Sequence, residues 1–212
     1  MCKKTKQGRI LILSGPSGSG KGTIVKELLR RRPERTVLSV SATTRAPRKE
    51  DKEGFTYYFL TREEFDKLVS SGGMLEYTEY CGNCYGTPRA PVEKAAKKGM
   101  DVILEIEVQG GGNVKKVCPQ AHMIFVMPPS AEELKRRLEG RGSETEESIR
   151  RRLQTAVGEM DHAADYDYIL INDDLTAAVD ELERAIDGGL RNVEDMTNFI
   201  KGVQNDVKAI CQ

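Results

Sequence analysis

Neither sign of charge prevails in this sequence: 33 Lys and Arg stand against 33 Asp and Glu over 212 residues, a formal net charge of +0. A chain without a global field cannot hold nucleic acid or an anionic membrane by bulk attraction, so any anion it binds must be gripped by local arrangement. The expected partners are small molecules. Cysteine offers no even framework. Cys2, Cys81, Cys84, Cys118 and Cys211 are odd in number and scattered, which disfavours a disulfide scaffold and favours a reducing compartment. The pair Cys81 and Cys84 lacks the second pair that a structural zinc site requires. Histidine is confined to His122 and His162, and both read as structural. The apolar run Ile10-Leu11-Ile12-Leu13 is short and meets glycines, so it is neither a signal peptide nor a membrane span. The expected location is the cytoplasm.

What is present reads as one globular domain with an insertion. Charged residues make up 31% and hydrophobic ones 38%, and a chain of this length buries a real core. Arg9 to Leu13 has the composition of a buried strand entering a glycine-rich loop, and Ile24, Val25, Leu28 and Leu29 then recur at helical spacing. Strands are expected at 37–40, 57–59, 74–80, 102–108, 123–127 and 168–171. Helices are expected after Thr61-x-x-Glu64 and Ser130-x-x-Glu133, both capping-box patterns, and over 88–98, 144–162 and 176–186. The tail places Val193, Met196, Phe199, Ile200, Val203, Val207 and Ile210 on one stripe, the mark of a helix docked on the domain. Alternation of strands and helices predicts an α/β fold with a mainly parallel sheet. The strand-rich stretch 37–88 is expected to be an insertion in that body.

Two segments carry chemistry. Gly15-Pro16-Ser17-Gly18-Ser19-Gly20-Lys21-Gly22-Thr23 fits GxxxxGK between a strand and a helix. Glycines let successive N–H groups face one point, the helix N-terminus adds partial positive charge and Lys21 adds a full one, an arrangement suited to a polyphosphate. The hydroxyl that usually follows the lysine is displaced by Gly22, so Thr23 or a water takes its place toward Mg²⁺. The second segment, Ser39 to Arg48, gathers Ser41, Arg45 and Arg48 at the end of a strand, and arginine forks match phosphate oxygens in pairs.

These residues, together with Tyr57, Glu76-Tyr77, Gly82 to Thr87, Glu105 to Gly110, Pro128-Pro129-Ser130, Arg137 to Gly142 and Asn172-Asp173-Asp174, resemble the guanylate kinase family over about residues 9–187. The resemblance implies a three-layer P-loop core (1–36, 89–136 and 163–212), a strand-rich GMP-binding subdomain (37–88) and a helical lid (137–162). It implies phosphoryl transfer from ATP to GMP or dGMP with Mg²⁺ as cofactor, and a monomer or homodimer without nucleic-acid or membrane partners. By the same resemblance Ser41, Glu76, Thr87 and Glu107 lie at the base of GMP, and Arg45, Arg48, Asp51, Tyr57 and Tyr85 at its phosphate. Residues 15–23 and Asn172 bind ATP, with Lys21, Arg45, Arg137, Arg141 and Arg152 in catalysis. Thr23 and, through water, Glu105 face the metal. The chemistry agrees, since one carboxylate can accept both the N1–H and N2–H₂ of guanine and adenine offers no such pair.

The loop after Arg48 departs from the family pattern. Glu50 stands where glycine is usual and Asp51 where glutamate is. A non-glycine residue resists positive φ and a shorter carboxylate reaches less far, which predicts weaker GMP affinity. Rival readings are a non-catalytic guanylate-kinase-like module binding a phosphopeptide, and a monophosphate kinase of other base specificity. Gly20-Lys21 and the lid arginines argue against the first, Glu76 with Ser41 against the second. A small GTPase is disfavoured because no Asn-Lys-x-Asp motif occurs.

Overall fold

The computed structural model describes residues 7–140, 145–188 and 192–211. Along the chain run β1 (Ile10–Ser14), α1 (Lys21–Arg31), β2 (Thr36–Leu38), β3 (Ala42–Thr43), β4 (Tyr58–Phe59), α2 (Arg62–Ser70), β5 (Met74–Tyr80) and β6 (Asn83–Pro88). Then follow α3 (Arg89–Lys97), β7 (Asp101–Glu105), α4 (Val108–Val117), β8 (His122–Met127), α5 (Ala131–Glu139) and α6 (Glu146–Met160). A 3-10 turn (Ala163–Asp165), β9 (Tyr168–Ile171), α7 (Leu175–Gly188) and α8 (Val193–Ile210) complete the order. This is an α/β fold with a mainly parallel sheet. Two compact units divide the chain, one made of 1–12 and 32–121, the other of 13–31 and 122–212, so β1 contributes residues to both.

In the first unit β2 pairs with β7 in parallel, Thr36 opposite Asp101 and Leu38 opposite Ile103. Ile10, Leu11 and Ile12 are buried with Val102, Ile103 and Leu104, the apolar composition of strands covered on both faces. Arg9 clasps Asp101 through its backbone N–H at 2.9 Å and its guanidinium at 3.1 Å. A second sheet runs β4-β3-β6-β5. Phe65 of α2 fills one face of it with Ala42, Met74 and Cys84, and the Thr61 capping box holds the start of that helix. A two-residue turn joins β5 to β6, with Cys81 at φ 50° and Gly82 at φ 75°, the positive-φ pair that a tight hairpin requires.

In the second unit β8 and β9 pair in parallel from Ile124 opposite Tyr168 to Met127 opposite Ile171. Helix α7 contacts both β9 and α1, and Ile24, Val25 and Leu28 of α1 and Val179 and Leu182 of α7 are buried. The expected tail helix is α8, which contacts α5, α6, the 3-10 turn and β9 and buries Ile200, Val203 and Val207. Gln204 fastens it by donating to the carbonyl of Val157 at 3.0 Å and the carboxylate of Asp161 at 2.5 Å.

Two local expectations are corrected. The strand expected to reach Val108 stops at Glu105, because a helix, α4, that three consecutive glycines concealed starts at Val108 with Glu107 at its N-cap position and no side-chain capping bond. Ser130 caps α5 through the Glu133 amide at 3.2 Å, but the Glu133 carboxylate is drawn to Arg136 and Arg137 instead of closing the box. Phe125 is fully buried and meets Tyr166 edge to face at 5.0 Å. Phe125→Ala is therefore expected to lower the unfolding free energy by about 3–5 kcal/mol. Calorimetric unfolding checks this, and a loss below about 1 kcal/mol would show that β8 is not the packed centre of its unit.

Candidate functional site

The second unit carries the glycine loop. Gly15 lies at φ 141°, and a Cβ there would sit 2.3 Å from the Val126 carbonyl oxygen. Gly20 lies at φ 90°, and its Cβ would fall 2.2 Å from the Asn172 side-chain amide. Only residues without side chains can follow this path. Asn172 Nδ2 donates to the Ser19 carbonyl at 2.8 Å, and Lys21 Nζ donates to the carbonyls of Gly15 and, at 3.0 Å, Pro16. Arg137 joins the loop to the end of β9 by donating to the carbonyls of Asn172 at 2.8 Å and Ser19 at 3.4 Å. Arg152 of α6 donates to the Ser17 hydroxyl.

Three cations thus surround one loop at a helix N-terminus whose first turn holds no acidic residue, which concentrates positive potential for an anion. Hydrogen bonds from Arg136, then Arg137, hold the Glu133 carboxyl down at about 2, so this counter-charge persists at neutral pH. Thr23 and Gly22 are exposed in the first turn of α1, and Ser19 is buried. Arg141 lies outside the described residues.

The first unit holds a cavity of about 340 Å³ whose walls include Ser41, Tyr57, Glu76, Tyr85, Glu105 and Glu107. Glu76 is 9% exposed. Its Oε1 accepts from the Thr87 hydroxyl at 2.6 Å, so Thr87 stands behind the carboxylate. Burial pushes the Glu76 pKa up; the Thr87 hydroxyl opposes this and Glu107 adds to it.

The remaining expected residues form a neighbouring cluster. Arg45 pairs with Asp51 at 2.8 Å and lies over the Tyr57 ring at 5.5 Å from its centre. Tyr57 in turn meets Tyr85 edge to face. The Arg48 amide donates to Asp51 at 2.7 Å, and its side chain is exposed. Asp51 is held low by that amide first and by Arg45 next. The strain expected at Glu50 is absent, because Cys81 is the one non-glycine residue with positive φ among the described residues, and Asp51 does reach Arg45.

The cavity also has walls to which the sequence assigned no role: Thr78, Tyr80, Gln109, which lies within the resembling block 105–110, and Asn113. Alternation along β5 from Glu76 points to Thr78 and Tyr80. Gln109 and Asn113 are four apart on α4, a spacing that is informative only once the helix is recognised.

The guanylate kinase family model matches residues 7–188. A guanylate kinase of Desulfitobacterium hafniense (strain Y51) is 51% identical over 83% of this chain and 88% of its own. One of Clostridioides difficile (strain 630) is 46% identical over 92% and 95%. The chain belongs to the guanylate kinase family. The crystal structure of guanylate kinase from Anaplasma phagocytophilum is similar to it with a TM-score of 0.67, at 37% identity and 88% coverage of each chain.

For this guanylate kinase family member the buried carboxylate has a stability signature. A folded-state pKa raised above the unfolded one means that the ionised group opposes folding. The penalty is absent below the unfolded carboxylate range, grows as pH rises toward the raised value and is constant above it. Glu76→Gln keeps an oxygen for Thr87 and removes the charge, so it is expected to melt above the parent at neutral pH, the gap closing in acid. A gap independent of pH would show that the charge is not its cause.

Proposed function

We propose that the protein transfers the terminal phosphoryl group of ATP to GMP, or to dGMP with the same base edge, giving ADP and GDP or dGDP. The observation that carries this reading is Glu76, a buried carboxylate on the wall of a ligand-sized cavity. Guanine presents N1–H and N2–H₂ side by side to such a group, Ser41 supplies a hydroxyl for O6, and Glu107 a further acceptor. Adenine would leave the carboxylate with the Thr87 hydroxyl alone and no paired donors from the base, a larger loss than a missing neutral contact. Arg45, Arg48, Tyr57 and Tyr85 are assigned to the GMP phosphate, with Asp51 holding the Arg45 guanidinium and the Arg48 backbone amide.

ATP is assigned to residues 15–23, with Asn172 fixing the Ser19 carbonyl. Phosphoryl transfer asks for positioning and charge neutralisation more than for a strong base, and Lys21, Arg137, Arg152 and Arg141 are the cations assigned to it. A divalent cation accompanies such chemistry. The oxygens of Thr23 and, through water, Glu105 are assigned to it; both residues are exposed, and no group of three or more His, Cys, Asp or Glu suited to a metal occurs among the described residues. That donor set fits Mg²⁺, which keeps waters and takes ligands from phosphates, and does not fit a closed zinc site. When bound, Mg²⁺ neutralises charge on the phosphates. Among the described residues no helix is long and apolar enough to cross a membrane. The thiols of Cys81, Cys84, Cys118 and Cys211 are free, which supports a reducing compartment such as the cytoplasm. The lysine and arginines around the loop argue against a phosphopeptide scaffold.

ADP release with MgATP and a panel of nucleoside monophosphates tests the reading. GMP and dGMP are expected to exceed AMP, CMP and UMP by roughly 10⁴-fold in kcat/KM. Equal use of AMP, or ADP release independent of any monophosphate, would overturn it. Lys21→Ala is expected to lower kcat by about 10²–10³-fold with the melting temperature retained, and unchanged turnover would remove Lys21 from the mechanism.

A further inference from the structure

We infer that Gly110 is a positioning residue for guanine selection: by carrying no side chain it lets the Glu76 carboxylate lie against the first turn of α4. The inference rests on the reading of Glu76 as the group that receives the guanine edge. A methyl group on Gly110 would sit 3.2 Å from Glu76 Oε2, 3.5 Å from its Cδ and 3.7 Å from its Cγ. The first of these is tighter than ordinary carbon–oxygen contact, so the carboxylate would have to move by a few tenths of an ångström.

It has little room to do so. Oε1 is fixed by the Thr87 hydroxyl at 2.6 Å. The backbone of Glu76 is closed in by Gly86 of β6, where a Cβ would lie 2.8 Å from the Glu76 carbonyl oxygen. With one oxygen anchored and the backbone held, displacement at Oε2 turns the carboxylate out of the plane in which two adjacent N–H groups can both reach it. One of the paired hydrogen bonds then lengthens while the other stays.

Local folding does not ask for glycine here. Gly110 and Gly112 both lie within α4, and glycine in a helix interior is disfavoured by about 1 kcal/mol relative to alanine. At Gly112 nothing lies within 4 Å of where a Cβ would be, so alanine there should simply firm the helix. Gly110 borders the cavity and is the position where the added methyl meets the carboxylate. The same substitution two residues apart is therefore expected to have different consequences.

Steady-state kinetics of the parent, G110A, G112A, E76D and the double variant G110A/E76D, with thermal unfolding of each, test this. G110A is expected to raise KM for GMP about tenfold, the loss from weakening one charged hydrogen bond, with kcat and KM for ATP within about twofold. Its melting temperature should equal or exceed that of the parent. G112A should match the parent in KM for GMP. In the E76D background the carboxylate is one methylene shorter and clear of the methyl, so adding G110A should change KM for GMP less than about twofold.

A parent that selects GMP while G110A keeps its KM overturns the role of Gly110 and leaves the function standing. A parent without guanine preference overturns both. A G110A penalty undiminished in the E76D background, or a melting temperature well below that of G112A, also overturns the proposal, because a general disturbance of α4 would then be the cause.

Discussion

A carboxylate kept out of water must find donors or give up its charge. Glu76 sits at that limit: 9% exposed, held by Thr87 at 2.6 Å, and with Glu107 adding negative charge to the same cavity. The first unit is arranged around this tension. The irregularity between Met74 and Glu76 in the β5–β6 register, Gly86 behind the backbone and Gly110 beside the carboxylate allow a charged side chain to face a small cavity. Folding alone would be better served by a neutral group; on the proposed reading the charge is kept for a ligand that brings paired donors.

The second unit has the opposite character, with cations gathered around a loop at a helix N-terminus. Its loop takes conformations open to glycine, and its carbonyls are tied back by Lys21, Asn172 and Arg137. The amide groups of the helix start and the nearby cations are then left to define an electropositive cradle. Glu133 pairs with Arg136 and with the Nε of Arg137, while the two terminal nitrogens of Arg137 reach the carbonyls of Ser19 and Asn172.

Much of this was legible in the residues. The glycine loop is a spacing that few other structures need, and the capping box at Thr61 and the apolar strands declared themselves by type and period. The resemblance directed attention to Ser41, Tyr57, Glu76, Tyr85 and Glu107, which do line one cavity. Three things were not legible. Helix α4 was hidden because Gly110, Gly111 and Gly112 carry no periodic signal, and its tertiary contacts with β5 outweigh that weak propensity. The partners of Glu133 depend on competition between a backbone amide and two guanidiniums, which no pattern ranks. The closeness of Gly110 to Glu76 is a long-range contact that local sequence does not encode.

The central claim is that guanine adds to Glu76 the paired donors that Thr87 alone does not provide. It is tested most directly by following the carboxyl carbon of ¹³C-labelled Glu76 by NMR through a pH titration, without ligand and with saturating GMP or AMP. The account predicts a titration midpoint above the ordinary carboxylate range in the free protein that falls markedly with GMP and not with AMP. A midpoint that GMP leaves in place, or drives upward, would contradict it.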